Sequence, residues 1–225
     1  MANLGRALGV LAPAALVVAL TGCGGSSSSS RIEGSGVSKT VSRSVSAFSM
    51  VEFAGVGTAR IHPGSPQAVT VTGDDNIVPL VTTEVRDGTL VVSTKENTQF
   101  STVTPLVVDV RAPSVTGSSL SGSGDLSVDG VSEATFDATL SGTGKLDVGG
   151  TVSALEATVS GTGAAQLEHL VAKDAHVVMS GVGDAHVFVT HSLDASVTGT
   201  GSVVYGGNPQ HVQSKVTGIG SVTAG

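Results

Sequence analysis

Five residues at nearly constant spacing offer acid–base and ligand-binding chemistry. Asp137, Glu156, His176, Asp194 and Gln213 each stand five positions before the first glycine of a recurring Gly-x-Gly. If the segments between them stack, their side chains form one outward ladder of three carboxylates, an imidazole and an amide. Such a strip could hold a ligand or exchange protons with one, as the faces of β-helical lyases and hydrolases do. An ordinary hydrated face has the same composition, because surface charge is mostly just solvated. The ladder also lacks the Arg or Lys, and the stacking aromatics, expected of enzymes acting on acidic sugars. We therefore assign no catalytic residue. The solvated face is the simpler reading, and the ladder is carried forward only as a possible ligand face.

Other chemistries fit less well. Calcium-binding β-rolls use Gly-Gly-x-Gly-x-Asp turns. Here the residue after the second glycine is Asp125, Lys145, Ala164, Asp184, Ser202 or Ser221. The two acids are not in neighbouring repeats, and Ca²⁺ needs six to eight oxygens. Gly142-Thr-Gly-Lys145 lacks the remaining spacing of a phosphate-binding loop and its following helix. The histidines (62, 169, 176, 186, 191 and 211) show no metal-ligand spacing. His176 and His186 flank one corner, where they are placed to approach each other without an evident third ligand. No cofactor or metal is expected.

Cys23, the sole cysteine, carries the most specific signal. Arg6 precedes an apolar run from Ala7 to Leu20, too short to span a bilayer and interrupted by Pro13. This is the core of a signal peptide spanning residues 1–22. The run closes on Leu20-Thr-Gly-Cys23, which resembles the bacterial lipobox, in which the cysteine thiol receives a diacylglyceryl group and the freed amine a further acyl chain (palmitate is the usual kind). With no second cysteine to pair, we read Cys23 as the lipid attachment site and the membrane as the first partner. Two or more chains anchor durably, at about 0.8 kcal/mol per buried methylene. Gly24 after the cysteine resembles the outer-membrane sorting pattern of Gram-negative lipoproteins. In a Gram-positive envelope the address is the outer face of the cytoplasmic membrane. Residues 23–37 are read as the lipidated cysteine and a Gly/Ser linker, flexible with a reach of roughly 20 Å.

The mature chain carries ten basic against 18 acidic residues, and its basic residues are scattered. Binding a polyanion requires clustered cations to displace counterions, so nucleic acid is excluded as a partner. The composition is rich in Gly and aliphatics and has only 3% aromatics. It suits many short strands and tight turns.

The elements that must position the ladder come from repetition. Leu120-Ser-Gly-Ser-Gly124 recurs at Leu140, Val159, Met179, Val197 and Val216, with first glycines 20, 19, 20, 18 and 19 residues apart. Four and six residues after each first glycine stand mostly aliphatic residues, from Leu126/Val128 to Val222/Ala224. This period-two alternation on both flanks predicts half-buried strands meeting at a glycine corner. The fold class is all-β: a single-stranded β-helix with coils of about 19 residues, each stabilised by its neighbours. A β-sandwich with regularly spaced strands is the alternative, disfavoured by the constant interval. Residues 114–225 hold the regular repeats. Residues 38–113 form a less regular β-rich half, expected to pack against or cap them. It includes a strand at Val69–Thr72, a turn at Gly73–Asn76, a hairpin through Asp87-Gly88 and a strand at Leu106–Val110. One copy of the corner motif, Phe53-Ala-Gly-Val-Gly57, lies apart from the rest. The last repeat carries no capping helix and leaves a strand edge exposed.

Residues 38–225 resemble the head GIN domain family of "putative auto-transporter adhesins". The likeness rests on Phe48-Ser-Met-Val-Glu-Phe-Ala-Gly-Val-Gly57, Thr83-Glu-Val-Arg-Asp-Gly-Thr-Leu90, the repeats from Leu120, and Gly207-Asn-Pro-Gln210 with Ser214-Lys-Val-Thr-Gly-Ile-Gly-Ser221. The resemblance implies a β-helical extracytoplasmic domain, often on a lipoprotein, with no established enzymatic activity and no functional residues to transfer. Three functions are weighed. The first is a non-enzymatic envelope lipoprotein for adhesion or protein interaction, with an unknown protein or glycan as ligand. The second is a polysaccharide-binding or polysaccharide-degrading protein using the ladder. The third is a structural or stress-related envelope component.

Overall fold

The computed structural model describes Met1 and residues 31–225. The expectations attached to the signal segment and Cys23 lie outside the described residues. In chain order the strands are β1 (Ile32–Glu33), β2 (Ser38–Arg43), β3 (Met50–Phe53), β4 (Val56–Pro63) and β5 (Ala68–Asp74). A 3₁₀ turn, Val78–Leu80, leads to β6 (Val81–Arg86), β7 (Thr89–Thr94), β8 (Phe100–Ser101) and β9 (Val107–Ala112). Then come β10 (Gly117–Leu120) and the long strands β11 (Ser123–Leu140), β12 (Thr143–Val159), β13 (Thr162–Met179) and β14 (Val182–Val197). The last three are β15 (Thr200–Gly206), β16 (His211–Val216) and β17 (Ile219–Ala224).

Each long strand runs from one glycine corner to the next, so each contributes to more than one wall of a parallel β-solenoid. Before the corner, β7, β3, β10, the second halves of β11 to β14, and β16 pair in parallel. After it, β9, β4, the first halves of β11 to β14, β15 and β17 do the same. A third, less regular stretch joins one coil to the next, with register shifts at Val128/Val131, Asp147/Gly150 and Leu167/Val171.

The alternation seen in the sequence becomes stacked interior columns. Leu120, Leu140, Val159, Met179 and Val197 lie one above another, as do Leu126, Leu146, Ala165, Ala185 and Val203, and all are buried. Burying one such aliphatic side chain stabilises by roughly 1.5–3 kcal/mol. The columns exist only through stacking, because a lone coil leaves its aliphatics in water.

Two glycine columns make the corner. At Gly142, a β-carbon would collide with the carbonyl oxygen of Gly122 in the coil below, and the same relation recurs at Gly161, Gly181, Gly199 and Gly218. At Gly144 the backbone has φ +139°, and a β-carbon would meet the Gly124 carbonyl. The close approach allows Ser141 and Gly142 both to donate N–H bonds to Leu120 O at 2.9 Å.

The upstream corner copy is not isolated in space. Phe53 pairs with Leu120 and Val56 with Ser123, so β3 and β4 form the coil directly beneath the first repeat. Below it lies a coil made of β7 and β9. Residues 38–113 thus continue the solenoid as well as capping it, through antiparallel strands. β6 pairs with β7 across a hairpin whose Asp87 and Gly88 have φ 49° and 77°. β5 pairs with β9, and β2 with β5.

Asp74, expected in a turn, is the last residue of β5 and is fully buried. Burial alone would raise its carboxyl pKa. That tendency is outweighed by N–H bonds from Val103, Thr104 and Gly36 and by the Thr104 hydroxyl, which hold it below the usual carboxylate value. These bonds also correct the linker boundary. Residues 31–36 were expected to run free, yet Ile32–Glu33 pairs with β8, Asn76 Nδ2 donates to Glu33 O at 2.8 Å, and Gly36 is fixed on Asp74. The end of the Gly/Ser tract is docked because a buried carboxylate and an exposed asparagine supply partners for its backbone.

Candidate functional site

The ladder forms in the register that the spacing implied. Asp137 pairs with Glu156, Glu156 with His176, His176 with Asp194, and Asp194 with Gln213. In the other direction the column continues with Gly117 and Met50, so its polar part ends at Asp137.

A second outward column runs beside it two residues earlier in each strand: Thr135, Ala154, Asp174 and Ser192. Between the two columns the inward-pointing Phe136, Leu155, Ala175 and Leu193 are buried. Phe136, Leu155 and Ala175 lie along a groove of about 550 Å³ between the columns. Asp137, Glu156, His176 and Asp194 form one bank and Asp174 and Ser192 part of the other. Gln213 stands in register beyond the groove and does not line it.

His176 sits between its two neighbours. Its Nε2 lies 3.7 Å from Glu156 Oε1 and its Nδ1 3.4 Å from Asp194 Oδ2. Outside the lining, His191 Nδ1 lies 2.6 Å from Asp174 Oδ1. The His191 ring meets that of His211 edge-on, with centroids 5.9 Å apart. The groove lining thus carries four carboxylates and one imidazole, and no lysine or arginine. Chemically it is an acidic trough, suited to cationic or multiply hydrogen-bonding groups.

Asp174, Ser192 and His191 were missed in the sequence. Asp174 and Ser192 follow from the same period-two rule one step earlier in the strand, but their column also holds Thr135 and Ala154 and has no repeated charge to single it out. His191 could not be read, because the register shifts between Ala172 and Asp174 and brings it beside Asp174. His176 and His186 are not brought together: His186 lies past the corner, in register with Gln166 and Val204.

Lys145 Nζ lies 2.8 Å from Asp147 Oδ2, and this bond, opposed by partial desolvation, raises the lysine pKa. Lys145 is therefore held by a carboxylate rather than presented to a phosphate. Asp125 and Asp184 lie in the same outward column, separated by Lys145 and Ala164. Among the described residues, no group of three or more His, Cys, Asp or Glu side chains is arranged to hold a metal ion.

The model of a family described as "Putative auto-transporter adhesin, head GIN domain" matches residues 47–209. The crystal structure of a "putative adhesin" from Bacteroides fragilis superposes with a TM-score of 0.67 at 23% identity, covering 86% of this chain and 99% of its own. A "putative lipid binding protein" from Parabacteroides distasonis gives 0.53 at 20% identity, covering 87% and 100%. A putative adhesin from the same species gives 0.50 at 19% identity, with the same coverage. At these identities the likeness is one of fold. No curated protein sequence matches the chain.

Proposed function

The chain belongs to the head GIN domain family, and on that premise we propose that it is a non-enzymatic envelope lipoprotein that uses its solenoid for adhesion or protein interaction. The groove between the Asp137–Asp194 and Thr135–Ser192 columns is the contact surface, and the basic side chains of a protein partner are what it receives. The observation that carries this reading is the groove's makeup: three carboxylates in one column on parallel strands and Asp174 facing them from the next column, with no lysine or arginine among the lining residues. Rigid strands fix their spacing, so a partner meets a preorganised charge pattern, which favours specificity and rapid encounter. Family membership and the names of the fold neighbours support an adhesive rather than a catalytic role.

A glycan ligand is the second reading, favoured by one observation. His176 held between Glu156 and Asp194 is an acid–base arrangement, and hydroxyl-rich ligands suit a carboxylate-lined trough. Glycan arrays and turnover assays on the chain from residue 24 separate the two. Turnover that is lost in an Asp137→Ala, Glu156→Ala variant would replace the adhesive reading with an enzymatic one. Delivery rests on the lipobox-like Leu20-Thr-Gly-Cys23. Cys23→Ser is expected to move the protein from carbonate-washed membranes to the soluble fraction without unfolding it. Retention of the variant in the membrane contradicts the anchor.

A further inference from the structure

The point at which the chain enters the solenoid sets how the molecule stands on a lipid surface. Residues 31–36 form a strap docked at the antiparallel end. Ile32 N donates to Gln99 O and Gly34 N to Ser101 O, both at 2.9 Å, and Ser35 N donates to Asn76 Oδ1 at 3.0 Å. Gly36 N donates to the buried Asp74 carboxylate at 2.9 Å, on the last residue of β5. β2 follows at once and is the outermost strand of its wall. The order along that wall runs β2, β5, β9, β4, β11, β12, β13, β14, β15, β17. The strap therefore sits at the opposite end from β17. With strands about 4.8 Å apart, nine steps separate the two ends by roughly 43 Å. Cys23 is eight residues from Arg31, so the two lie at most about 28 Å apart.

Charge divides along the same axis. Residues 31–113 carry eight acidic and seven basic side chains, close to neutrality, while residues 114–225 carry ten acidic and three basic, a net of −7. At the strap end, Arg31, Lys39 on β2 and Lys95 are exposed, while Arg86 on β6 is exposed but paired with Glu84 at 2.6 Å. Anionic headgroups attract nearby Lys and Arg and repel the acidic coils within a Debye length of the surface.

We propose that the cap formed by β2, β5 and β6 faces the anionic headgroups of the membrane, and that the solenoid stands end-on with its acidic groove and the β16–β17 end directed away. This rests on the reading of Cys23 as the lipid anchor. The partner of the cap is a lipid surface, and the groove is thereby held clear of the surface that would repel it and open to a second cell or protein.

The test uses the full-length lipidated protein in vesicles of phosphatidylethanolamine and phosphatidylglycerol. An azide-bearing amino acid at Lys39 or at Thr217 takes a donor dye, and the acceptor is a headgroup-labelled lipid. Energy transfer is expected to be high from position 39 and several-fold lower from position 217. Equal transfer from both positions, as for a solenoid lying flat, or stronger transfer from 217, overturns the orientation. Flotation of the protein with the vesicles reads the anchor separately. If natural lipidation fails, coupling the Cys23 thiol to a maleimide lipid supplies the same attachment point, and the same comparison decides the orientation.

Discussion

At the scale of single residues, Asp74 and the groove carboxylates show opposite uses of the same side chain. Asp74 is buried and accepts N–H bonds from three backbone positions, one of them in the strap. Its native pKa is lowered, so the ionised form is bound more tightly in the folded chain than in the unfolded one. The resulting stability is fully present above the unfolded carboxylate value, near 3.9, and is lost as pH falls through the lower native value. Urea unfolding of the wild type should therefore weaken on acidification into that window. Asp74→Asn, whose amide points donors at donors, should be less stable at neutral pH and lack that part of the acid dependence. Parallel pH profiles for the two proteins would contradict this. Among the groove acids, by contrast, Asp137, Glu156 and Asp194 are exposed, and only the half-buried Asp174 is hydrogen-bonded, by His191. Asp137, Glu156, His176 and Asp194 were legible as a column because spacing alone fixes register in a regular solenoid. Asp74 was not, since Gly73-Asp-Asp-Asn76 reads as a turn and only the fold brings Val103 and Gly36 to it.

At the scale of elements, the corner decides whether coils stack. Gly144 combines a positive φ with a carbonyl lying where a side chain would begin. Gly130 also has a positive φ, at +79°, but nothing lies within 4 Å of its missing β-carbon. Gly130→Ala should cost only the left-handed strain, about 1–2 kcal/mol. Gly144→Ala should cost clearly more, because the coils must also move apart. Denaturant midpoints of the two variants check this, and equal losses would show that stacking at the corner is looser than described. The repeats were legible because their glycines and aliphatics recur every 18–20 residues. The coil of β7 and β9 was not, because it precedes that of β3 and β4 in space but follows it in sequence, and no local pattern records such an exchange. The docked strap escaped notice for a related reason: a Gly/Ser tract has no apolar period, and its order comes from hydrogen bonds that distant residues supply.

At the scale of the whole molecule, a near-neutral capped end and an acidic series of coils lie along one axis, with the groove among the acidic coils. Net charge alone would make any cation stick weakly everywhere. The functional reading is narrower, since it assigns attraction to four carboxylates in one trough. Titration calorimetry of a lysine-rich peptide into the soluble chain from residue 24 tests this most directly. Two variants of equal charge change are compared with the wild type. One converts Asp137, Glu156, Asp174 and Asp194 to their amides, and the other does the same to Glu96, Asp125, Asp129 and Asp184, all exposed and outside the groove. Salt-sensitive binding is predicted for the wild type and the second variant, and its loss in the first. Equal weakening in both variants, or no binding by the wild type, would contradict the groove as the contact surface.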